Sequence, residues 1–148
     1  ILAKLTPTVH GVGIDVDREA VEAARENAKQ NLLQDRVVVK QLCFADIPAL
    51  VGEGLAPFRL VISNPPFLPA KVMRHVGFSR DLGSQSSIAF ASGADGLDAY
   101  KELASVLTSP GVLESGAFVI MCCQPGQSSV VASCFQHRFD IHMMQNEF

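Results

Sequence analysis

The stretch HGVGIDVDREAVEAARENAKQNLLQDRVVVKQLCF, residues 10–44, decides the fold. Residues 10–16 are a short apolar run that meets an acid at Asp15. Asp17 stands where a helix cap is expected. Val21, Ala24, Ala28 and Leu32 then recur at helical spacing over residues 17–33. Glu19 near the start and Lys29 near the end have the polarity that a helix dipole favours. Residues 36–44, RVVVKQLCF, are rich in β-branched side chains and read as a second strand.

The alternation continues on both sides. Residues 1–5 look like the tail of a helix. A turn or short helix follows Asp46, GEGLAP (52–57) is a loop, and FRLVIS (58–63) is a strand. Residues 71–96 are Gly/Ser-rich with weak periodicity and are expected to be mostly a mobile loop. GLDAYKELASVLTS (96–109) places Leu97, Tyr100, Leu103, Ala104 and Leu107 on one side of a helix, and Pro110-Gly111 helps to stop it. GAFVIMCC (116–123) is expected to be a buried strand, residues 127–138 a helix, and FDIHMMQ (139–145) a last strand. There is no internal repeat and no sign of a second domain. Strands alternating with helices imply an α/β fold with a parallel sheet covered on both faces.

Composition narrows the function classes. The 148 residues are 48% hydrophobic and 18% charged, enough for one packed domain. A net charge of −3 leaves no global footprint for binding a nucleic-acid backbone, although a local basic patch stays compatible with it. No apolar run approaches the roughly 18 residues of a membrane span. Cys43, Cys122, Cys123 and Cys134 lack Cys-x-x-Cys spacing, and Cys43 and the Cys122-Cys123 pair sit in apolar strand-like runs. They are expected to be buried and reduced, as in the cytosol or mitochondrial matrix. The histidines (His10, His75, His137 and His142) have no metal-ligand spacing on a shared element, so no metal is expected.

In parallel sheets, ligands sit beyond the carboxyl ends of the strands. Asp15, Asp46 and Asn64 are the residues expected there. Asp15 can accept from the two hydroxyls of a ribose, or be a helix N-terminal acid with no ligand. Asp46 can accept from an exocyclic amine such as that of adenine, with Val16 and Ile47 against the faces of the base, or simply cap a helix. Gly11-Val12-Gly13 lies within a strand and is not read as a phosphate loop.

Asn64-Pro65-Pro66-Phe67 is harder to explain as a turn alone. The prolines exclude helical backbone before them and remove two donors while keeping their carbonyls. The result is a stiff corner with two acceptors, Asn64 Oδ1 and the Pro65 carbonyl, beside the flat ring of Phe67. Such a corner suits a planar group bearing NH2.

SNPPF after an apolar strand, about fifty residues beyond Asp15, resembles the (Asn/Asp)-Pro-Pro-(Tyr/Phe/Trp) signature of S-adenosylmethionine-dependent amino-group methyltransferases. ASGADGLDAYKELASVL (91–107) is similar to the corresponding helix start of the HemK-like enzymes, which methylate a glutamine amide of translation release factors. GAFVIMCCQPGQSSVVASCF (116–135) is similar to their following strand, Gly-Gln turn and helix. The resemblance implies the class I methyltransferase fold, a Rossmann-like, mostly parallel sheet with helices on both faces. It implies S-adenosylmethionine held by Asp15, Val16, Asp46, Ile47 and Asn64, with Asn64, Pro65, Pro66 and Phe67 at the reacting amide. The implied partner is a protein of release-factor type. An exocyclic base amine in RNA or DNA is the alternative acceptor, and a non-catalytic remnant is the alternative class.

Several positions depart from the family pattern. Phe67 stands for the usual Tyr, Gln85-Ser86 for Glu-Pro, and Met121 for a strand-ending Glu. The Gly-rich loop expected before the first helix has no counterpart, nor has the family's final strand. Residues 1–148 are therefore expected to be a partial catalytic domain, incomplete at both ends, that binds the donor poorly by itself. Lys71, Arg74, Arg80 and Lys101 are read as a basic rim, either solvated or facing an acidic partner or RNA.

Overall fold

The computed structural model describes residues 6–70, 72 and 92–144. The expected helix tail at 1–5, most of the expected loop at 71–96, and Lys71, Arg74 and Arg80 of the basic rim lie outside the described residues. Contacts divide the chain into two units, residues 1–47 and 48–148. Each contains one parallel strand pair with a helix between its strands, so the α/β class holds.

In the first unit, β1 (Gly11–Asp15) pairs in parallel with β2 (Val37–Gln41), from Gly11↔Val37 to Asp15↔Gln41. Between them runs α1 (Arg18–Gln30), which begins because Asp17 Oδ1 accepts from the Glu19 amide at 2.8 Å. Val21 and Ala28 face inward as their spacing predicts. Leu32 does not: it lies past the helix end at φ 56° and is 82% exposed. The chain turns back there, with the Leu33 amide donating to Ala28 O at 2.8 Å. Arg25 binds the helix to the strand, its Nε and Nη2 donating to Val39 O at 3.2 and 2.7 Å. Arg36 fastens the segment before β1 in the same way, donating to Val9 O and Thr6 O.

In the second unit, α2 (Ala49–Gly52) buries Leu50. β3 (Phe58–Ser63) then pairs in parallel with β4 (Leu113–Met121). The register breaks early: Phe58 faces Leu113, but Leu60 faces Phe118, so β4 bulges before running regularly to Ser63↔Met121. α3 (Asp98–Leu107) buries Tyr100, Leu103, Ala104 and Leu107, with Leu97 buried just before it. It packs on α4 (Ser128–Phe135), which buries Val131 and Phe135, and Phe139 meets Phe135 edge-on at 5.9 Å.

Three expectations are corrected. The strand expected to be buried over 116–123 is half open. Phe118 (72% exposed) and Ile120 (49%) stand in register with Leu60 (43%) and Ile62 (51%), forming one uncovered apolar face. Apolar alternation specifies which residues share a face but not whether anything covers it. None of the four cysteines is buried: Cys43 and Cys122 are exposed, and Cys123 and Cys134 partly so, although all four are free thiols. Cys43 and the Cys122-Cys123 pair fall beyond strand ends rather than inside strands. Finally, residues 139–144 form no strand, because this segment has no ladder partner among the described residues.

Tyr100 is fully buried, and its hydroxyl donates to Cys122 O at 2.9 Å, joining α3 to the chain leaving β4. Burial, with smaller contributions from Cys123 and Cys122, pushes its pKa up from 10.0 to about 12. Its stabilising contribution is therefore complete below pH 10.0 and is lost as pH rises towards about 12. Tyr100→Phe should cost about 1 kcal/mol at neutral pH. The gap from wild type should narrow above pH 10.0 in denaturant titrations.

Candidate functional site

The candidate residues lie past the carboxyl ends of parallel strands in each unit. In the first unit, Asp15 closes β1 and is exposed; its Oδ1 accepts from the Asp17 amide at 2.8 Å, and Oδ2 has no donor among the described residues. Gln41, opposite Asp15, donates through Nε2 to Val16 O at 3.0 Å and holds the next residue in place. Val16 is 47% exposed.

Asp46 ends the 3₁₀ turn Phe44–Asp46 after β2. Its Oδ2 accepts from the Cys43 amide at 3.0 Å and the Cys43 thiol at 3.1 Å. Those bonds, the thiol's first and then the amide's, hold the Asp46 pKa below the ordinary carboxylate value. The capping role weighed from sequence is thus real, yet it uses one oxygen only. Ile47, next along, is buried. The two carboxylates stand at one end of the β1–β2 pair, each with a second oxygen that has no hydrogen-bond donor among the described residues. That suits the hydroxyls and amine of an adenosine.

In the second unit, Asn64-Pro65-Pro66-Phe67 follows β3 directly. Asn64 is exposed, and its side chain has no hydrogen-bond partner among the described residues. Pro65 is buried and Phe67 half-buried. The corner is held from both ends. Before it, the Cys122 amide donates to Ser63 O at 3.1 Å. After it, the Ser92 amide donates to Leu68 O (3.0 Å) and the Ala70 amide to Gly93 O (2.9 Å).

The turn at 92–97 is built from its own residues. Ser92 Oγ accepts from the Ala99 amide at 2.7 Å and so satisfies the start of α3. Asp95 accepts from the Leu97 amide at 2.9 Å and from Lys101 Nζ at 3.0 Å. The lysine, then the Leu97 amide, holds the Asp95 pKa below its ordinary value, and Asp95 raises that of Lys101. Lys101 is therefore an ion-paired residue rather than a free rim cation. Gly96, at φ +80°, sits so close that a methyl group would strike Phe67 O and Gln127 Nε2. Gln127 donates to Phe67 O at 3.2 Å.

Sequence reasoning placed the corner but missed the residues that hold it: Ser92, Asp95, Gly96 and Gln127. The Gly93-Ala94-Asp95-Gly96 run was a usable signal for a tight turn, and the Gly126-Gln127 turn was noted from the family resemblance, but nothing local showed that Gln127 reaches Phe67. Among the described residues, no group of three or more His, Cys, Asp or Glu is placed to hold a metal ion, and no helix is long and apolar enough to cross a membrane.

Residues 2–75 match the family described as RMKL-like, methyltransferase domain. The chain is 34% identical to a release factor glutamine methyltransferase of Caulobacter vibrioides over 88% of this chain and 42% of the relative. It is 30% identical to the Bacillus cereus release factor glutamine methyltransferase over 93% and 46%. With a ribosomal protein uL3 glutamine methyltransferase of Bordetella pertussis it shares 28% identity over 82% and 38%. The chain thus spans less than half the length of these curated relatives.

Gly96→Ala should unseat Phe67, because the added methyl has no room and the backbone angle disfavours it. Proteolysis or amide exchange should show the 64–70 segment loosened while the β1–β2 pair is unchanged.

Proposed function

Because the chain belongs to the RMKL-like methyltransferase domain family, we propose that the protein methylates the side-chain amide nitrogen of a protein glutamine, in a substrate of release-factor type. The observation that carries this reading is the exposed Asn64 side chain with no partner among the described residues, at the head of a corner whose two prolines donate nothing. Similarity to glutamine methyltransferases in three organisms supports a protein amide as acceptor.

S-adenosylmethionine, when bound, supplies an electrophilic methyl group whose bonding electron pair leaves with the sulfur. Asp15 and Asp46 fit its adenosine half, since each keeps one carboxylate oxygen for a hydroxyl or amine donor, and Val16 offers an exposed apolar surface. Ile47 completes the adenosine side of the proposed donor set; Asn64, which the family resemblance also assigns to the donor, acts in this proposal on the acceptor.

At the acceptor, Asn64 Oδ1 and the Pro65 carbonyl take one N–H each from the glutamine amide. The Phe67 ring lies along its plane and limits rotation. An amide nitrogen is a poor nucleophile because its lone pair is shared with the carbonyl. As the nitrogen forms its new bond to carbon it becomes cationic, and both acceptors then bind its protons more strongly. Fixing the amide plane supplies the alignment that in-line attack requires. The surplus proton is acidic once the nitrogen is alkylated and passes to water, so no side chain with a shifted pKa is needed as base.

Asn64→Ala in the full-length protein should lower kcat by about 100-fold, the scale of losing one preorganised polar contact. The KM for the donor should stay within about twofold, because the side chain acts on the acceptor. Full-length protein given methyl-labelled donor should label a glutamine of release factor, located by mass spectrometry. Label in RNA or DNA instead would move the acceptor to an exocyclic base amine. No label in any substrate, together with no donor binding, would identify a non-catalytic member.

A further inference from the structure

We propose that Gln127 is a positioning residue that sets the angle of the Asn64–Phe67 corner; the catalytic part of this inference rests on the amide reading above. Gln127 ends the 3₁₀ turn Pro125–Gln127, six residues beyond the end of β4. Its Nε2 donates to Phe67 O at 3.2 Å and touches Asp95 O at 3.5 Å. Its Oε1 is buried and has no donor among the described residues.

That arrangement defines which way the amide faces. Reversed, it would set an oxygen against two carbonyl oxygens, so the present orientation stands although it leaves Oε1 without a donor. A buried acceptor in that state costs about 1–3 kcal/mol. The side chain therefore sits there at a cost to stability, and what it gains is a grip on one backbone carbonyl.

The grip matters because of what lies between the two ends of the corner. Pro65 and Pro66 have locked φ angles, so residues 64–67 turn nearly as one piece. Ser63 O is held by the Cys122 amide and Phe67 O by Gln127. Both clamps come from the segment that leaves β4. With Gly96 leaving no slack against Phe67 O, the Asn64 oxygen and the Pro65 carbonyl inherit their direction from these contacts. Misplacing reacting groups by about 1 Å costs on the order of 100-fold.

The test uses the full-length protein with two variants. Gln127→Leu removes the donor at similar volume. In amide exchange, the Ser92 and Ala70 amides, which bond Leu68 O and Gly93 O, should exchange at least about tenfold faster, while the amides of β2 stay as in wild type. The kcat should fall about 10- to 100-fold with the donor KM within about twofold. Gln127→Glu keeps the shape but sets a carboxylate against carbonyl oxygens. Its activity relative to wild type should recover below about pH 6, when the protonated carboxyl can donate to Phe67 O again. A purely structural role would give no such recovery.

Unchanged Ser92 and Ala70 exchange in Gln127→Leu, or a flat relative pH profile in Gln127→Glu, would overturn the proposal. Loss of protection in an otherwise folded protein whose wild type methylates nothing would support the clamp and sink the glutamine reading alone.

Discussion

Two adjacent proline rings set the terms for the rest of the candidate site. They fix the backbone between Asn64 and Phe67 and remove two N–H groups while leaving the carbonyls free as acceptors. A segment that rigid has to be held from outside, because it cannot fold back to satisfy itself. The parallel pairing of β3 with β4 provides the first hold, through the Cys122 amide on Ser63 O. The 92–97 turn provides the second, through the Ser92 amide on Leu68 O and the Ala70 amide on Gly93 O. Tyr100 then fastens α3 to Cys122 O, so helix, turn and strand end support one another.

The first unit solves a related problem more economically. Asp15 ends β1 and Asp46 ends the turn after β2, and each spends one carboxylate oxygen on the local backbone. Capping a turn does not by itself exclude binding a ligand. A carboxylate has two oxygens, and the bond that shapes the turn also aims the one left over.

Much of this was legible from residue pattern. The five inward residues Leu97, Tyr100, Leu103, Ala104 and Leu107 follow a 3.6-residue period, and all are buried. FRLVIS gives β3 with its boundaries unchanged, since β-branched and aromatic residues stop at Asn64-Pro65. Asp17 announces α1 by its chemistry alone. The failures have a common cause, which is dependence on distant chain. Leu32 keeps the helical spacing but lies beyond a turn that leaves the helix. Phe118 and Ile120 look like core because they are apolar, yet burial depends on a covering layer and not on the strand itself. Gln127 meets Phe67 across sixty positions, so the Gly-Gln turn could be noticed without its partner being legible.

The open face formed by Leu60, Ile62, Phe118 and Ile120 has a practical side. Patches of this kind attract other hydrophobic surfaces, and a chain presenting one is prone to clump at the concentrations used for crystals or spectra. Mild detergent, low protein concentration or charged replacements at Phe118 and Ile120 would ease handling. Because those two side chains make none of the contacts described for the Asn64 corner, they can be altered for that purpose while its supports are left in place.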